Sequence, residues 1–138
     1  MKARIIKAGT VQGEALVSTD AIGFLGGVDP DTGVVIEKGH ALYNQSIANK
    51  ILIFPTGKGS TVGSYTIYRL KKNGKAPLAI INKQSEPIVA VGAIIASIPM
   101  IDLVDISLFQ TGDIVYIHND EVLNITKNDE IVIPVQDS

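Results

Sequence analysis

Apolar residues follow two different patterns along the chain. Near the two ends they occur in short runs that favour β-structure, at residues 4–8, 14–18 and 34–36 and again at 114–117, 122–125 and 131–135. Runs of this length between turn-forming residues are typical of strands. Asn119 and Asp120 separate two of the late runs and predict a hairpin turn. Both ends of the chain are therefore predicted to form strands, with a turn-rich loop over residues 26–33.

The middle of the chain carries more continuous apolar runs. Residues 50–54 and 77–82 are almost entirely apolar, which is typical of strands buried on both faces. Between them lie a glycine-rich loop, residues 56–61, and a helical stretch from about Ser60 to Lys72. Strand, helix and strand in this order predict a βαβ unit with parallel strands. The predicted fold class is α/β, with a parallel βαβ core and additional antiparallel strands.

A second helix is predicted over residues 85–96. Ser85 stands where a capping serine is expected, and Pro87 suits the first helical turn. The branched residues of this segment also suit a strand, but the capping signal and the length favour a helix.

Composition narrows the possible functions. The formal net charge is -2, so the chain lacks the basic excess of nucleic-acid-binding proteins. It has no cysteine, and its two histidines are far apart, so we expect no metal or iron–sulfur cluster bound by this chain itself.

No signal-peptide core or membrane-length apolar run is present, which predicts a soluble, cytoplasmic protein. The apolar fraction of 46% is high for a small domain and suggests that part of the surface covers a partner.

The glycine-rich loop is the strongest candidate for chemistry. A loop between a buried strand and a helix start presents unpaired backbone N–H groups, which attract anions. The loop departs from the phosphate loop of NTPases, because Lys58 lies between two glycines, and from the dinucleotide fingerprint, because Gly57, Gly59 and Gly63 have the wrong spacing. Either Ser60 is a reactive group in a field of N–H donors, or it is an ordinary serine N-cap at a strand-to-helix turn.

Four blocks of sequence resemble the small subunit of the aconitase X family. They occur in the family's order and cover nearly the whole chain: DAIGFLGGVDPDTG at 20–33, PTGKGSTVGSY at 55–65, NGKAP at 73–77 and EPIVAVGA at 86–93. The resemblance implies a swivelling β/β/α three-layer domain that occupies residues 1–138 as a single unit.

The resemblance also implies a function. In archaeal members a large and a small subunit together dehydrate mevalonate 5-phosphate to trans-anhydromevalonate 5-phosphate, a step towards isoprenoids. The large subunit holds an iron–sulfur cluster that acts as Lewis acid on the departing hydroxyl. By motif, Ser60 is the proton acceptor. Lys58, Gly59 and Thr61, which lie beside it, are predicted to bind the substrate.

Two other functions are compatible with the sequence. Related bacterial proteins dehydrate cis-3-hydroxy-L-proline, and a non-catalytic module that only covers a partner's apolar surface is the rival outside enzymes. The serine loop of aconitase and isopropylmalate isomerase carries a carboxylate-binding arginine; here Thr61-Val62-Gly63 follow Ser60, which argues against their substrates.

Other titratable residues are weaker candidates for a functional site. A phosphocarrier role for His40 is a minor alternative to a packed or partner-facing histidine. His118 is predicted to lie on the surface, and Asp102 and Asp105 to lie in solvated turns.

Overall fold

The computed structural model describes residues 3–119, 121–127 and 129–132. Two helices of two to three turns and eight short strands account for most of its regular structure. In chain order the elements are β1 (Arg4–Lys7), β2 (Thr10–Val17), the single turn α1 (Phe24–Gly27), β3 (Ile51–Phe54), α2 (Gly63–Lys72), β4 (Ala79–Asn82), α3 (Pro87–Ile95), β5 (Met100–Asp102), a 3-10 turn (Ile106–Leu108), β6 (Ile114–His118), β7 (Glu121–Asn124) and β8 (Asp129–Val132).

The strands form one continuous sheet in the order β1-β5-β4-β3-β2-β6-β7-β8. Strands β2, β3, β4 and β5 are parallel, so the predicted βαβ unit of β3, α2 and β4 is confirmed. Strand β1 is antiparallel to β5 at one edge, and β6, β7 and β8 continue the sheet antiparallel at the other. The predicted hairpin pairs His118 with Glu121; Asp120 itself lies outside the described residues.

The core divides into two apolar clusters on opposite faces of β3. Leu52 and Phe54 pack with residues of α2 and α3. Ile51 and Ile53 pack with residues of β6 and β7. All four residues of β3 are buried, as the unbroken apolar run predicts. Helices, central sheet and the folded-over antiparallel strands therefore make the three-layer β/β/α arrangement, which confirms the predicted fold class.

Several local features differ from the sequence-based prediction. Residues 34–36 form isolated bridges rather than a strand, with Val35 opposite Val28 and Val34 opposite Ser46. Strand β5 is absent from the sequence-based prediction, although it joins β1 to the parallel core. The cap of α3 is Glu86, not Ser85: its carboxylate accepts hydrogen bonds from the backbone N–H groups of Ile88 and Val89 at 2.8 Å each. The last residues of the predicted strand 131–135 lie outside the described residues.

Asp102 is buried at the end of β5, which contradicts its prediction as a solvated turn residue. Arg4 binds its carboxylate with two nitrogens, at 3.0 and 2.7 Å, and the Ser85 backbone N–H donates to it at 2.9 Å. Burial alone would raise the pKa of Asp102, but the hydrogen bonds from Arg4 and Ser85 outweigh burial and hold the pKa below its ordinary value. The Arg4–Asp102 pair thus ties the edge strand β1 to β5.

We expect Asp102→Asn to lower the free energy of unfolding by about 1–3 kcal/mol at pH 7, because a charge-assisted pair is lost. A carboxylate with a depressed folded-state pKa stabilises the fold above its unfolded-state pKa, and this contribution is lost as pH falls through the folded-state value. The difference between wild type and Asp102→Asn should therefore shrink below about pH 4. Denaturant unfolding from pH 7 to pH 2.5 measures it, and a difference that does not change with pH would contradict the assignment.

Candidate functional site

The candidate site lies at the carboxyl ends of the parallel strands, where ligands commonly bind in open α/β sheets. Strand β3 ends at Phe54 and continues into residues 55–62, which include the glycine-rich loop and which we call the serine loop. The segments after β2 and β4 emerge from the same edge and contact the serine loop on its two sides. The base of the loop is therefore held between two neighbouring segments.

On the side of β2, Ile22 pairs with the serine loop as an isolated parallel bridge. The Ile22 N–H donates to the carbonyl of Thr56 at 3.2 Å, and the Lys58 N–H donates to the carbonyl of Ile22 at 3.1 Å. The preceding turn is held by Ser18, whose hydroxyl donates to the carbonyl of Asp20 and accepts from its N–H. The bridge fixes the backbone of the serine loop two residues before Ser60.

On the side of β4, alternate residues contact the base of the serine loop. The side-chain amide of Asn82 donates to the carbonyl of Phe54 at 3.0 Å, and the Gln84 N–H donates to the carbonyl of Pro55 at 3.1 Å. Glu86 lies against the Cα of Gly57, where a Cβ would overlap its carboxylate. Gly57 is buried, whereas Lys58, Gly59 and Ser60 are exposed, so the loop has a fixed base and an open tip.

Ser60 lies three residues before α2 rather than in its first turn, which corrects the predicted helix start. Helix α2 begins at Gly63, and its N-cap Val62 makes no side-chain capping bond. The Ser60 hydroxyl oxygen accepts from the Val62 N–H at 3.1 Å, and its carbonyl accepts from the Gly63 N–H at 2.9 Å. Ser60 thus stabilises the turn that leads into the helix, and the proton of its hydroxyl stays available to an acceptor.

The tip of the serine loop presents a set of backbone donors. Gly59 has φ of +91°, a conformation that favours glycine. Among the described residues, the N–H groups of Gly59, Ser60 and Thr61 donate to no acceptor. Successive backbone N–H groups beside a left-handed residue form a concave site for anions. The three residues therefore offer unpaired donors for an anion, with the Ser60 hydroxyl in the same turn.

The ammonium of Lys58 is turned towards Glu37, at 3.1 Å. The Lys58 side chain lies across Gly23, where a Cβ would come within 3.4 Å of its Cγ, and both charged groups are partly exposed. Glu37 was missed by the sequence-based search, since no local pattern joins residues 21 positions apart. Lys58 thus stands beside the serine loop with its charge balanced by Glu37.

His40 is packed and fixed by the backbone. One ring nitrogen, Nδ1, accepts from the Leu42 N–H at 3.0 Å, and Nε2 contacts the carbonyl of Ala21 at 2.9 Å. With both nitrogens engaged and the residue buried, neither is open to carry a phosphoryl group, so the phosphocarrier alternative is wrong. His118 is exposed, as predicted, and its Nδ1 bonds the Thr10 hydroxyl at 2.8 Å.

Large apolar side chains are exposed near the start of α2, next to the serine loop. Leu25, Val62 and Tyr65 are 50%, 51% and 59% exposed. The Leu25 backbone lies beside Gly63, so these side chains come from neighbouring elements on either side of the α2 start. Single exposed apolar residues are ordinary, but a group around a polar loop is typical of an interaction surface.

Neither a metal cluster nor a membrane helix is evident in the described part of the chain. No group of three or more His, Cys, Asp or Glu side chains there could hold a metal ion. None of the described helices is both long and apolar enough to cross a membrane.

Comparisons with known proteins agree with one another. A family model described as the aconitase X swivel domain matches residues 1–126. Proteins called phosphomevalonate dehydratase small subunit from Methanosarcina acetivorans and Methanocella arvoryzae are 54% and 59% identical, covering 88% and 83% of this chain and 86% and 89% of their own. The holo-form crystal structure of Thermococcus kodakaraensis aconitase X matches with a TM-score of 0.84 and 51% identity over 96% of both chains. A solution NMR structure of a UPF0107 protein matches with a TM-score of 0.76 and 44% identity, over 97% of this chain and 98% of its own.

Proposed function

Because the chain belongs to the aconitase X swivel-domain family, we propose that it is the small subunit of a hydro-lyase that converts mevalonate 5-phosphate to trans-anhydromevalonate 5-phosphate. Several relatives, each at least 52% identical, carry the name phosphomevalonate dehydratase small subunit. The observation that carries the assignment within the chain is the serine loop, whose exposed tip joins the Ser60 hydroxyl to three N–H donors that have no acceptor among the described residues.

Ser60 acts as the proton acceptor in this proposal. Dehydration of a β-hydroxy acid removes a proton from the carbon beside the carboxylate, and the released electron pair forms the double bond as the hydroxyl leaves. A base must therefore lie on an open surface that a substrate carbon can reach. Ser60 is exposed on a loop with a fixed base, which supports that role.

The small subunit cannot ionise Ser60 alone. Ionising a hydroxyl at neutral pH costs about 12 kcal/mol if its acidity is close to that of water. The positive end of a helix supplies about 0.3–1 kcal/mol, and Ser60 lies just before such an end. The larger part must come from a closed, water-excluded site completed by a partner. We therefore expect the isolated chain to be inactive.

Lys58, Gly59 and Thr61 bind the anionic part of the substrate in this proposal. The N–H groups of Gly59 and Thr61 have no acceptor among the described residues, and a phosphate or carboxylate oxygen suits them. Lys58 supplies a positive charge when the ligand replaces Glu37 as its partner. Because Thr61 and Val62 follow Ser60 where other families carry an arginine, the site favours a phosphorylated hydroxy acid over citrate or isopropylmalate.

An iron–sulfur cluster, when bound, supplies a Lewis acid for the departing hydroxyl, and in this proposal the large subunit holds it. The residues of this chain do not fit a cluster, because the sequence has no cysteine to ligate iron. The chain's own part is to bring Ser60 and its N–H donors to the partner's site. A cytoplasmic location for the complex stays a prediction.

Because the sequence has no cysteine and no closely spaced histidine pair, we expect the purified full-length chain to carry less than one iron or zinc ion per chain. Metal analysis after anaerobic purification checks this. One tightly bound metal ion per chain would contradict the division of labour between the two subunits.

The large subunit covers the apolar residues around the serine loop in this proposal. We expect Tyr65→Asp to weaken assembly by about 30-fold or more, because a charge replaces a side chain that loses its water at an interface centre. Titration of the labelled small subunit with the large subunit measures the affinity.

Ile95→Asp is the matched control, since Ile95 is 52% exposed at the far end of α3. Equal affinities for wild type and Tyr65→Asp would remove this surface from the interface. Equal weakening by both variants would show that added charge acts without regard to position.

Assay of the reconstituted complex against two substrates tests the proposed function. The two subunits are co-expressed anaerobically and supplied with mevalonate 5-phosphate or with cis-3-hydroxy-L-proline. We expect turnover of the phosphorylated acid only. Turnover of the hydroxyproline alone would assign the chain to the other dehydratase.

A further inference from the structure

Asn82 is a fully buried amide whose hydrogen bonding is incomplete. Its Nδ2 donates to the carbonyls of Phe54 at 3.0 Å and Ile81 at 3.3 Å. Its Oδ1 is also buried and accepts no hydrogen bond from the part of the chain that the structure describes. Ile80, the β4 residue on the same face of the sheet as Asn82, is apolar and buried, so an apolar side chain would also suit the position of Asn82.

An amide at this position contributes little net stability, because favourable and unfavourable terms oppose each other. The cost of burying Oδ1 without a partner among the described residues offsets part of what the two hydrogen bonds of Nδ2 contribute to the folded state. Groups that cost stability are typical of functional sites, where they hold a geometry that an apolar core would not.

The amide acts on the start of the serine loop. Phe54 is the last residue of β3, and its carbonyl is the last group of the strand before Pro55 turns the chain into the loop. Asn82 is paired with Phe54 at the end of the sheet, and Gln84, whose N–H donates to the carbonyl of Pro55, continues the contact beyond it. The direction in which the loop leaves the sheet is thereby set six residues before Ser60.

We propose that Asn82 is a positioning residue, which fixes the exit of the serine loop so that Ser60 meets the substrate carbon at the correct place. The effect on turnover rests on the proposed function of Ser60. The effect on the loop itself does not, and it is measured separately.

We expect Asn82→Val to shift the melting temperature by no more than about 8 °C, while the reconstituted complex loses about 10- to 100-fold in kcat, with KM changed less than about threefold. In the full-length small subunit alone, the Lys58 amide should exchange with solvent faster, because its bond to Ile22 depends on the position of the loop. Unchanged exchange would overturn the proposal. Failure of Asn82→Val to fold would also overturn the proposal, because the amide would then be required for the fold itself.

Asn82→Asp adds a signature that a packing role lacks. An ionised carboxylate faces the Phe54 carbonyl without a proton to donate, whereas the protonated acid restores one donor. The activity of Asn82→Asp relative to wild type should therefore rise as pH falls. A ratio that is constant with pH would contradict the proposal.

The two assignments fail in different ways. If Ser60→Ala keeps full turnover while Asn82→Val still speeds exchange at Lys58, the role of Ser60 is wrong and Asn82 remains the residue that orders the loop. If Ser60→Ala is inactive while Asn82→Val changes neither exchange nor kcat, the proposed function stands and the inference on Asn82 is wrong.

Discussion

Ser60→Ala should lower kcat of the reconstituted complex by about 10²–10⁴-fold, the range typical of a lost acid–base group. The substitution removes one exposed hydroxyl and leaves the backbone N–H donors of Gly59 and Thr61 in place. Subunit assembly and the iron content of the complex should therefore be unchanged. Turnover and melting temperature are measured on the same preparations.

Thr61→Ala is the matched control, because Thr61 is also an exposed hydroxyl residue in the same turn. Its effect on turnover should be clearly milder. If the Ser60 hydroxyl only serves the turn through its bond from the Val62 N–H, Ser60→Ala should instead cost about 0.5–2 kcal/mol of stability with near-normal turnover. That outcome would remove the catalytic role and leave only a covering role for the chain.

Gly57→Ala should also have a large effect, because it acts on the fixed base of the serine loop. A Cβ at Gly57 would overlap the carboxylate of Glu86 and the side chain of Val89. Glu86 cannot move freely, since it caps α3 through bonds to Ile88 and Val89. The loop must therefore shift. We expect a loss of about 1–3 kcal/mol in stability and at least about 10-fold in kcat.

Gly27→Ala provides the steric control. A Cβ there would come no closer than 3.6 Å to its nearest neighbour, an oxygen of Glu37, which is ordinary contact. Its stability and turnover should stay close to wild type. If Gly57→Ala behaves in the same way, the loop base tolerates a shift and the account of its rigidity is wrong.

The parallel core could be predicted from the sequence because its signals are local. The apolar runs that became β3 and β4 are unbroken, and the glycine-rich loop and α2 between them leave few alternatives. Strand β5 has only three residues, and its pairing with β1 joins parts of the chain nearly a hundred positions apart. No local pattern indicates such a pairing, so the sequence does not predict β5. Propensity alone predicts a strand over residues 34–36, which the structure does not contain.

Local sequence signals likewise predict only part of the candidate site. The composition of the serine loop pointed to Ser60, but the groups that hold the loop, among them Ile22 and Asn82, come from distant segments. The alternation of Asn82, Gln84 and Glu86 against the loop base depends on the β3–β4 register, which the sequence does not give. The sequence favours Ser85 as the cap of α3 because serine is the commoner capping residue, although the carboxylate of Glu86 reaches the helix N–H groups.

Hydrogen exchange at the substrate shows whether this chain supplies the base. Mevalonate 5-phosphate deuterated at the carbon beside its carboxylate is incubated with the reconstituted complex, and loss of deuterium to water is followed with wild type and with Ser60→Ala. We predict that the wild-type complex releases deuterium as it turns over. The Ser60→Ala complex should bind the substrate and release deuterium at least about 10²-fold more slowly. Release at the wild-type rate from the Ser60→Ala complex would contradict the account.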